Sequence, residues 1–347
     1  MKKTLSILII ALTFLSCEKE KAGPTHDTTP IEFGNVETRA AISSVDDMID
    51  SGLGFGVFGY VSGAEDTPLL SNEKIYWENS MWTYDNTRYW IPDRTFQFFA
   101  YYPYDDETDA TKPISNVAAN GNGVGYQLAF TTPETADFDL LSAYKEVDTG
   151  ADDFDGADPV SLHFDHEMVN LNLKIWRDGG KHQNDKIRVK EVALSNVTWS
   201  GTVTKTSGGT TSWTSTTRKP LLAGTVENPE TEIGAATKTS DGINPGPGAV
   251  PCTPFGTNGL LLIPATISGA NAVSLSIVYE LQLQGADENT WSEYSHNITL
   301  PATTWKAGTQ ITYNVLLSNI VDITFYYIST SVTSWGTPQV GGTIIIK

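Results

Sequence analysis

The sequence is 347 residues long, with 41 acidic against 22 basic side chains and a formal charge of −19. Such a charge repels a phosphate backbone, which disfavours nucleic acid as a partner, and it suits an exposed, water-facing surface. Aromatic residues make up 10% of the chain, including nine Trp and fourteen Tyr, and Thr, Gly and Pro are abundant, so strands and turns are favoured over helices.

Lys2 and Lys3 form a basic start, Leu5 to Leu15 an apolar run, and Ser16 a small residue directly before Cys17. The run is an h-region, well below the roughly 20 apolar residues a spanning helix needs. The pattern is that of a bacterial lipoprotein signal, so residues 1–16 are expected to be removed and Cys17 acylated. Phe14-Leu15 departs from the usual Leu followed by Ala or Ser, and the alternative is an ordinary cleaved signal with a chance cysteine. Cys252 is the only other cysteine, so an acylated Cys17 leaves no intramolecular disulfide, and stability must come from core burial.

Residues 18–30 mix charge, Pro, Gly and Thr without periodicity and read as a solvated tether. Ile31, Phe33 and Val36 suggest a short strand ahead of Glu37-Thr38-Arg39-Ala40-Ala41, where Arg39 lies in a small-residue stretch open to proteolysis. Residues 54–60 then alternate glycine with large side chains. Trp82-Thr83-Tyr84 and Tyr89-Trp90-Ile91-Pro92 flank a turn at Asp85-Asn86, and residues 95–103 alternate until Pro103. Strands are expected next at 125–130, at 160–166 and at 168–176, where Val169, Leu171, Leu173 and Ile175 share one face at period two. Residues 187–203 hold a further pair, with Asn196 near the bend.

From Ser207 to Gly248 the chain turns rich in Thr, Ser, Gly and Pro, and Asn244-Pro245-Gly246-Pro247-Gly248 reads as a loop. Later strands are expected at 260–264, 272–283, 296–300, 310–317, 320–331 and 343–346. No helical period or heptad is sustained. The roughly 330 residues left after processing suit two domains. The expectation is an all-β protein of two tandem β-sandwiches, residues 40–206 and 207–347, preceded by the signal (1–16) and a lipidated segment (17–39).

Candidate chemistry is sparse. His163, Asp165 and Glu167 alternate away from His166 and Met168, so the two histidines diverge, and a packed or hydrogen-bonded His166 is favoured over a zinc ligand. Asp152, Asp153, Asp155 and Asp158 surround Gly156, but Ala151 occupies the first position of a calcium loop and its bidentate Glu is missing. That segment reads as a solvated acidic loop, with a weak surface calcium site as the alternative. No metal ligand set, cofactor loop or nucleophile elbow is recognised, and no enzyme is expected. Trp77, Trp82, Tyr84, Tyr89 and Trp90 are the candidates for stacking on sugars; strand aromatics more often form core.

Several segments together resemble the fimbrillin-like family, subunits of the type V pili of anaerobic gut and oral Gram-negative bacteria. They are residues 54–60, the Tyr89-Trp90 and 98–103 pair, 160–175 around His166, Leu261-Leu262-Ile263-Pro264, Trp305-Lys306-Ala307-Gly308 leading to Tyr313, and Val332-Thr333-Ser334-Trp335-Gly336. The resemblance implies transthyretin-like sandwiches and a structural role without cofactor or metal, on the outer membrane and then in a surface fimbrium. It implies export as a lipoprotein and cleavage between Arg39 and Ala40 by an Arg-specific protease. Loss of the strand holding Ile31 and Phe33 would then leave a slot, filled by the C-terminal strand of another pilin subunit. Here the donor would be Thr343, Ile344, Ile345 and Ile346. Adhesion to a host glycan or protein receptor would follow from such a role. The alternatives are a lipid-anchored glycan-binding lipoprotein and an anchor or tip pilin.

Overall fold

The computed structural model describes residues 29–38, 45–105, 113–132, 138–180, 184–239, 242–256, 258–317, 326–334 and 343–345. Cys17, Arg39, Ala40 and Ile346 lie outside the described residues, and Thr343, Ile344 and Ile345 are described as a strand only. The first half of the chain comprises β1 (Phe33–Thr38), a short helix α1 (Val45–Ser51), β2 (Phe55–Val61), β3 (Leu70–Glu78), β4 (Met81–Thr83), β5 (Thr95–Tyr102), β6 (Ile114–Ala119), β7 (Gly125–Thr131), β8 (Leu141–Asp148) and β9 (Val160–His166). There follow β10 (Val169–Asp178), β11 (Lys186–Ser195), β12 (Val197–Thr206), β13 (Thr210–Lys219), β14 (Leu222–Gly224), β15 (Ala235–Thr239) and β16 (Gly242–Pro245). The last third holds β17 (Leu260–Leu262), β18 (Ala265–Ile267), β19 (Ser274–Gln282), β20 (Ser292–Thr299), β21 (Thr303–Trp305), β22 (Thr309–Leu317), β23 (Tyr326–Ser334) and β24 (Thr343–Ile345). The protein is all-β, and no helix among the described residues is long and apolar enough to cross a membrane.

Seven strands close a barrel in the order β1-β4-β3-β2-β5-β8-β9, with β1 returning to β9. Alternation decides which side chains fill it. Phe55 and Val57 of β2 and Phe96, Phe98 and Ala100 of β5 point inward, where they meet Leu162 and Phe164 of β9. Their neighbours Phe58, Tyr60, Phe99 and Tyr101 point outward and are buried too, under the four-stranded sheet β13-β12-β7-β6 with its Tyr126, Leu128, Phe130 and Val203. Both faces of β2 are therefore covered, which is why all seven of its residues are buried. Glycine at 56 is required there, because a Cβ would collide with the Tyr101 ring.

The second body is a two-layer sandwich. One layer runs β16-β15-β10-β22-β23-β24, with β17 also paired to β10, and the other runs β14-β11-β19-β20. Val169, Leu171, Leu173 and Ile175 of β10 share the expected face and meet Val192, Leu194, Ile277 and Tyr279 across the layers. Asn196 makes the expected bend between β11 and β12, with φ of 62°.

Four strands, β13 to β16, lie in the Ser207–Gly248 stretch in place of irregular connection. β13 is a ten-residue strand of Thr and Ser around Trp213, paired along β12. Asn244 and Pro245, expected in a loop, end β16, an edge strand where the missing proline N–H costs no ladder bond. Residue 207, the expected domain boundary, falls between the paired strands β12 and β13, and β10 and β11 before it belong to the second core.

Candidate assembly groove

β1 lies where the barrel would otherwise be open. It pairs in parallel with β9, Phe33 opposite Val160 and Thr38 opposite Phe164, and antiparallel with β4 through Phe33 opposite Trp82. In the barrel order β1 is the one strand set between β4 and β9, so it closes the ring. The chain ahead of it is held too. Ile31 N donates to Arg88 O at 2.8 Å, Trp90 N to Thr29 O at 3.1 Å, and Val160 N to Glu32 O at 2.8 Å. Tyr84 Oη donates to Ile31 O at 2.8 Å and accepts from Arg88 N at 3.0 Å. Burial pushes the Tyr84 phenol above its ordinary pKa, so it stays neutral and able to donate.

The side chains seal what the backbone closes. Ile31, Phe33 and Val36 are 1%, 4% and 5% exposed. Phe33 meets the edges of Phe55, Tyr84 and Phe98 with ring centroids 5.8 to 6.4 Å apart. Full burial of such side chains is worth roughly 1.5–3 kcal/mol each. Beside β1 runs a surface groove of about 630 Å³ against Trp77, Met81, Trp82 and Tyr84. The sequence marked Ile31 and Phe33 but not the walls that receive them, Phe55, Trp82, Phe98 and Phe164, whose convergence depends on pairing between distant strands.

Thr343, Ile344 and Ile345 form β24, which pairs with Ser331, Thr330 and Ser329 of β23 at the outer edge of the second body's larger sheet. The structure thus keeps the C-terminal strand apart from the β1 slot within one chain. Cys17, Arg39, Ala40 and Ile346 are outside the described residues.

The remaining candidates resolve by their surroundings. His163 is exposed and His166 buried on opposite faces of β9, and His166 Nδ1 is hydrogen-bonded to Asp139 Oδ2. Burial raises the Asp139 pKa, outweighing the opposing influence of His166. Asp152, Asp153, Asp155 and Asp158 are exposed, and among the described residues no group of three or more His, Cys, Asp or Glu could hold a metal ion. Of the five aromatics, Trp82 and Trp90 are buried and Tyr84 partly so, whereas Trp77 and Tyr89 are 40% and 48% exposed. Cys252 is a free thiol pushed up to about 11 by burial, which keeps it a thiol at neutral pH.

A polar cluster that the sequence did not suggest ties the barrel to the β13-β12-β7-β6 sheet that covers it. Lys205 Nζ of β12 lies 3.2 Å from Glu167 Oε1 and donates to Ser142 Oγ at 2.7 Å and Thr211 Oγ1 at 2.9 Å. Ser142 and Thr211 in turn donate to Glu167 Oε1, and Trp213 Nε1 donates to Glu167 O at 3.1 Å. The ammonium is committed to a carboxylate and Ser142 is wholly buried, so the Lys–Ser contact is a satisfied interior network and presents no nucleophile to solvent. The only hint in the sequence is a lysine at an inward-facing position of the Val197–Thr206 strand.

No curated protein matches the chain. Among solved structures it is similar to a fimbrial protein from Bacteroides vulgatus, with 18% identity, 88% of this chain and 99% of that chain covered and a TM-score of 0.63. A putative cell adhesion protein from Bacteroides uniformis is 19% identical over 88% of this chain and 99% of that one, with a TM-score of 0.45. The first of these supports the same fold. A family model described as fimbrillin-like matches residues 38–335, most of the length, and the chain therefore belongs to the fimbrillin-like family.

Proposed function

We propose that this chain is a structural subunit of a cell-surface pilus that polymerises by strand exchange and contributes to adhesion. It is exported as a lipoprotein acylated at Cys17, held at the outer membrane, and released when an Arg-specific protease cuts between Arg39 and Ala40. Its partners are other pilin subunits, and a host glycan or protein is its receptor. Catalysis has no part in this role.

One observation carries the reading. β1 ends at Thr38, one residue before Arg39, and β1 alone closes the barrel. A cut at Arg39 releases that whole strand and nothing of the next element. The result is two facing strand edges, β4 and β9, with unpaired backbone groups along a slot lined by Phe55, Phe98 and Phe164. A strand of high β propensity with apolar side chains fits such a slot. Thr343-Ile344-Ile345-Ile346 has that composition, and Gly341-Gly342 before it supplies slack.

The test is Arg39→Ala. The variant is expected to fold, keep β1 in the barrel and form no polymer, whereas the parent, exposed briefly to trypsin, loses the segment ahead of Ala40 and forms ladders on gels. Fibres of ordinary length from Arg39→Ala under electron microscopy would show that assembly does not depend on this cut.

A further inference from the structure

A second concave surface lies away from β1, between the β12–β13 hairpin of the first body and the short β18–β21 sheet of the second. It encloses about 480 Å³ and is lined by Trp213, Ser215, Arg218, Thr266, Thr304 and Lys306, among others. Ligand pockets of this size commonly sit where two bodies meet, with an apolar surface and a few convergent polar groups.

Its charge is opposite to that of the molecule. The chain carries −19 overall, yet this cleft presents a guanidinium and an ammonium. Glu167 is the only acid among its described lining residues, and that carboxylate is already met by Lys205 and by the hydroxyls of Ser142 and Thr211. Arg218 is anchored through Nη1 on the carbonyls of Asn196 and Asn271, the latter at 3.4 Å, and pairs with no carboxylate among the described residues. Anchoring one nitrogen fixes the plane of the group and leaves the other donors for a ligand. Lys306 is exposed at the rim, in the turn between β21 and β22. Trp213 is half-buried, its indole N–H held by Glu167 O and its ring packed edge-on against Phe130 at 6.0 Å. That leaves a rigid aromatic surface beside Ser and Thr hydroxyls.

We propose that this cleft is a binding site for an anionic sugar, a carboxylate- or sulfate-bearing unit of a glycan, in which Arg218 and Lys306 hold the anion, Trp213 packs on the ring and the hydroxyls of Ser215, Thr266 and Thr304 meet sugar hydroxyls. A carboxylate or a sulfate offers the paired oxygens that a planar guanidinium binds best. The site is independent of strand exchange, since none of its lining residues lies in β1 or β24.

The test uses the unpolymerised full-length chain, with calorimetry and tryptophan fluorescence as readouts. The probes are trigalacturonate, a sulfated heparin disaccharide, neutral maltotriose and sodium sulfate. Saturable binding of trigalacturonate or of the heparin disaccharide, weakening as salt rises and absent with maltotriose, is expected; which of the two binds separates the carboxylate source from the sulfate source. Arg218→Gln should weaken it at least tenfold and Lys306→Gln about threefold, while Trp77→Ala, in the separate β1 groove, should leave it unchanged. The Lys306 side chain makes no hydrogen bond or ion pair among the described residues, so its variant remains informative even if Arg218→Gln lowers stability. The proposal is overturned by equal binding of maltotriose, by binding of sulfate ion alone, by undiminished affinity in Lys306→Gln, or by no saturable binding to either anionic glycan.

Discussion

β1 and β24 are both short strands near the ends of the described chain, yet they are held in different ways. β1 is bonded on both sides, to β4 and β9, and buries Phe33 and Val36 in the barrel core together with Ile31 just ahead of it. β24 is bonded on one side only, through three residue pairs with β23, at a sheet edge. Taking a two-sided strand out leaves a slot with two unsatisfied edges, whereas taking a one-sided strand off moves an existing edge inward by one place. On the proposed reading the first is the acceptor and the second the donor, and a chain carrying both would join copies of itself head to tail, an open, non-closing arrangement that yields a filament.

Removal of β1 should have the largest effect. Loss of Ile31, Phe33 and Val36 from the core should cost on the order of 5–9 kcal/mol from side-chain burial alone. Urea denaturation of the intact and the trypsin-processed protein measures it, and a synthetic peptide carrying the β24 sequence should restore much of the loss. A processed monomer as stable as the parent would mean that β1 is no integral part of the barrel.

The buried Lys205–Glu167 pair comes next. Lys205→Met strands the Glu167 carboxylate in a dry interior and should cost about 3–5 kcal/mol, read as a lower urea midpoint. The double variant with Glu167→Gln should recover part of that loss, because the uncompensated charge is gone. An additive double variant would show that the two side chains do not act as a pair.

The Asp139–His166 contact gives a smaller, pH-dependent effect. Burial raises the Asp139 pKa above its ordinary 3.8, so between that value and the raised one the folded state holds a proton that the unfolded state has lost. This contribution to stability is complete below 3.8 and is lost as pH rises through the raised pKa, with a slope of at most about 1.4 kcal/mol per pH unit from one group. Asp139→Asn should flatten that part of the profile, as measured by denaturation at a series of pH values. An unchanged slope would assign the pH dependence elsewhere.

The smallest expected effect is on the donor side. Deleting residues 339–347 should change the monomer's stability by about 1 kcal/mol or less, since strand ends at an edge open at little cost. The same deletion should stop the chain from donating while leaving its slot able to accept, so that the truncated protein caps and shortens growing polymers. A large fall in melting temperature would instead place this segment firmly in its own sheet.

Much of the strand content was legible because period-two alternation records which face of a strand is apolar. Val169, Leu171, Leu173 and Ile175 and the glycine-spaced Phe55–Val61 strand show this, as does the Asn196 bend, where a short polar side chain tolerates positive φ. β13 was not legible, because an edge strand facing water on one side needs few apolar residues, and its Thr and Ser read as loop. Lys205 was not legible as a core residue either, since its burial depends on Glu167 and Ser142 arriving from other strands.

Composition and alternation were enough for the all-β class, the inward residues of most strands, and the apolar character of Ile31 and Phe33 ahead of Arg39. Long-range packing settles that β1 lies in parallel beside β9 and closes a barrel, that β12 and β13 return to cover the first body after β10 and β11 have built the second, and that two cations face a cleft in an acidic protein. The reason is physical: alternation and turn residues are properties of neighbours in the chain, whereas strand partners and the charges around a cleft are chosen among residues far apart in sequence, by which faces can be buried together.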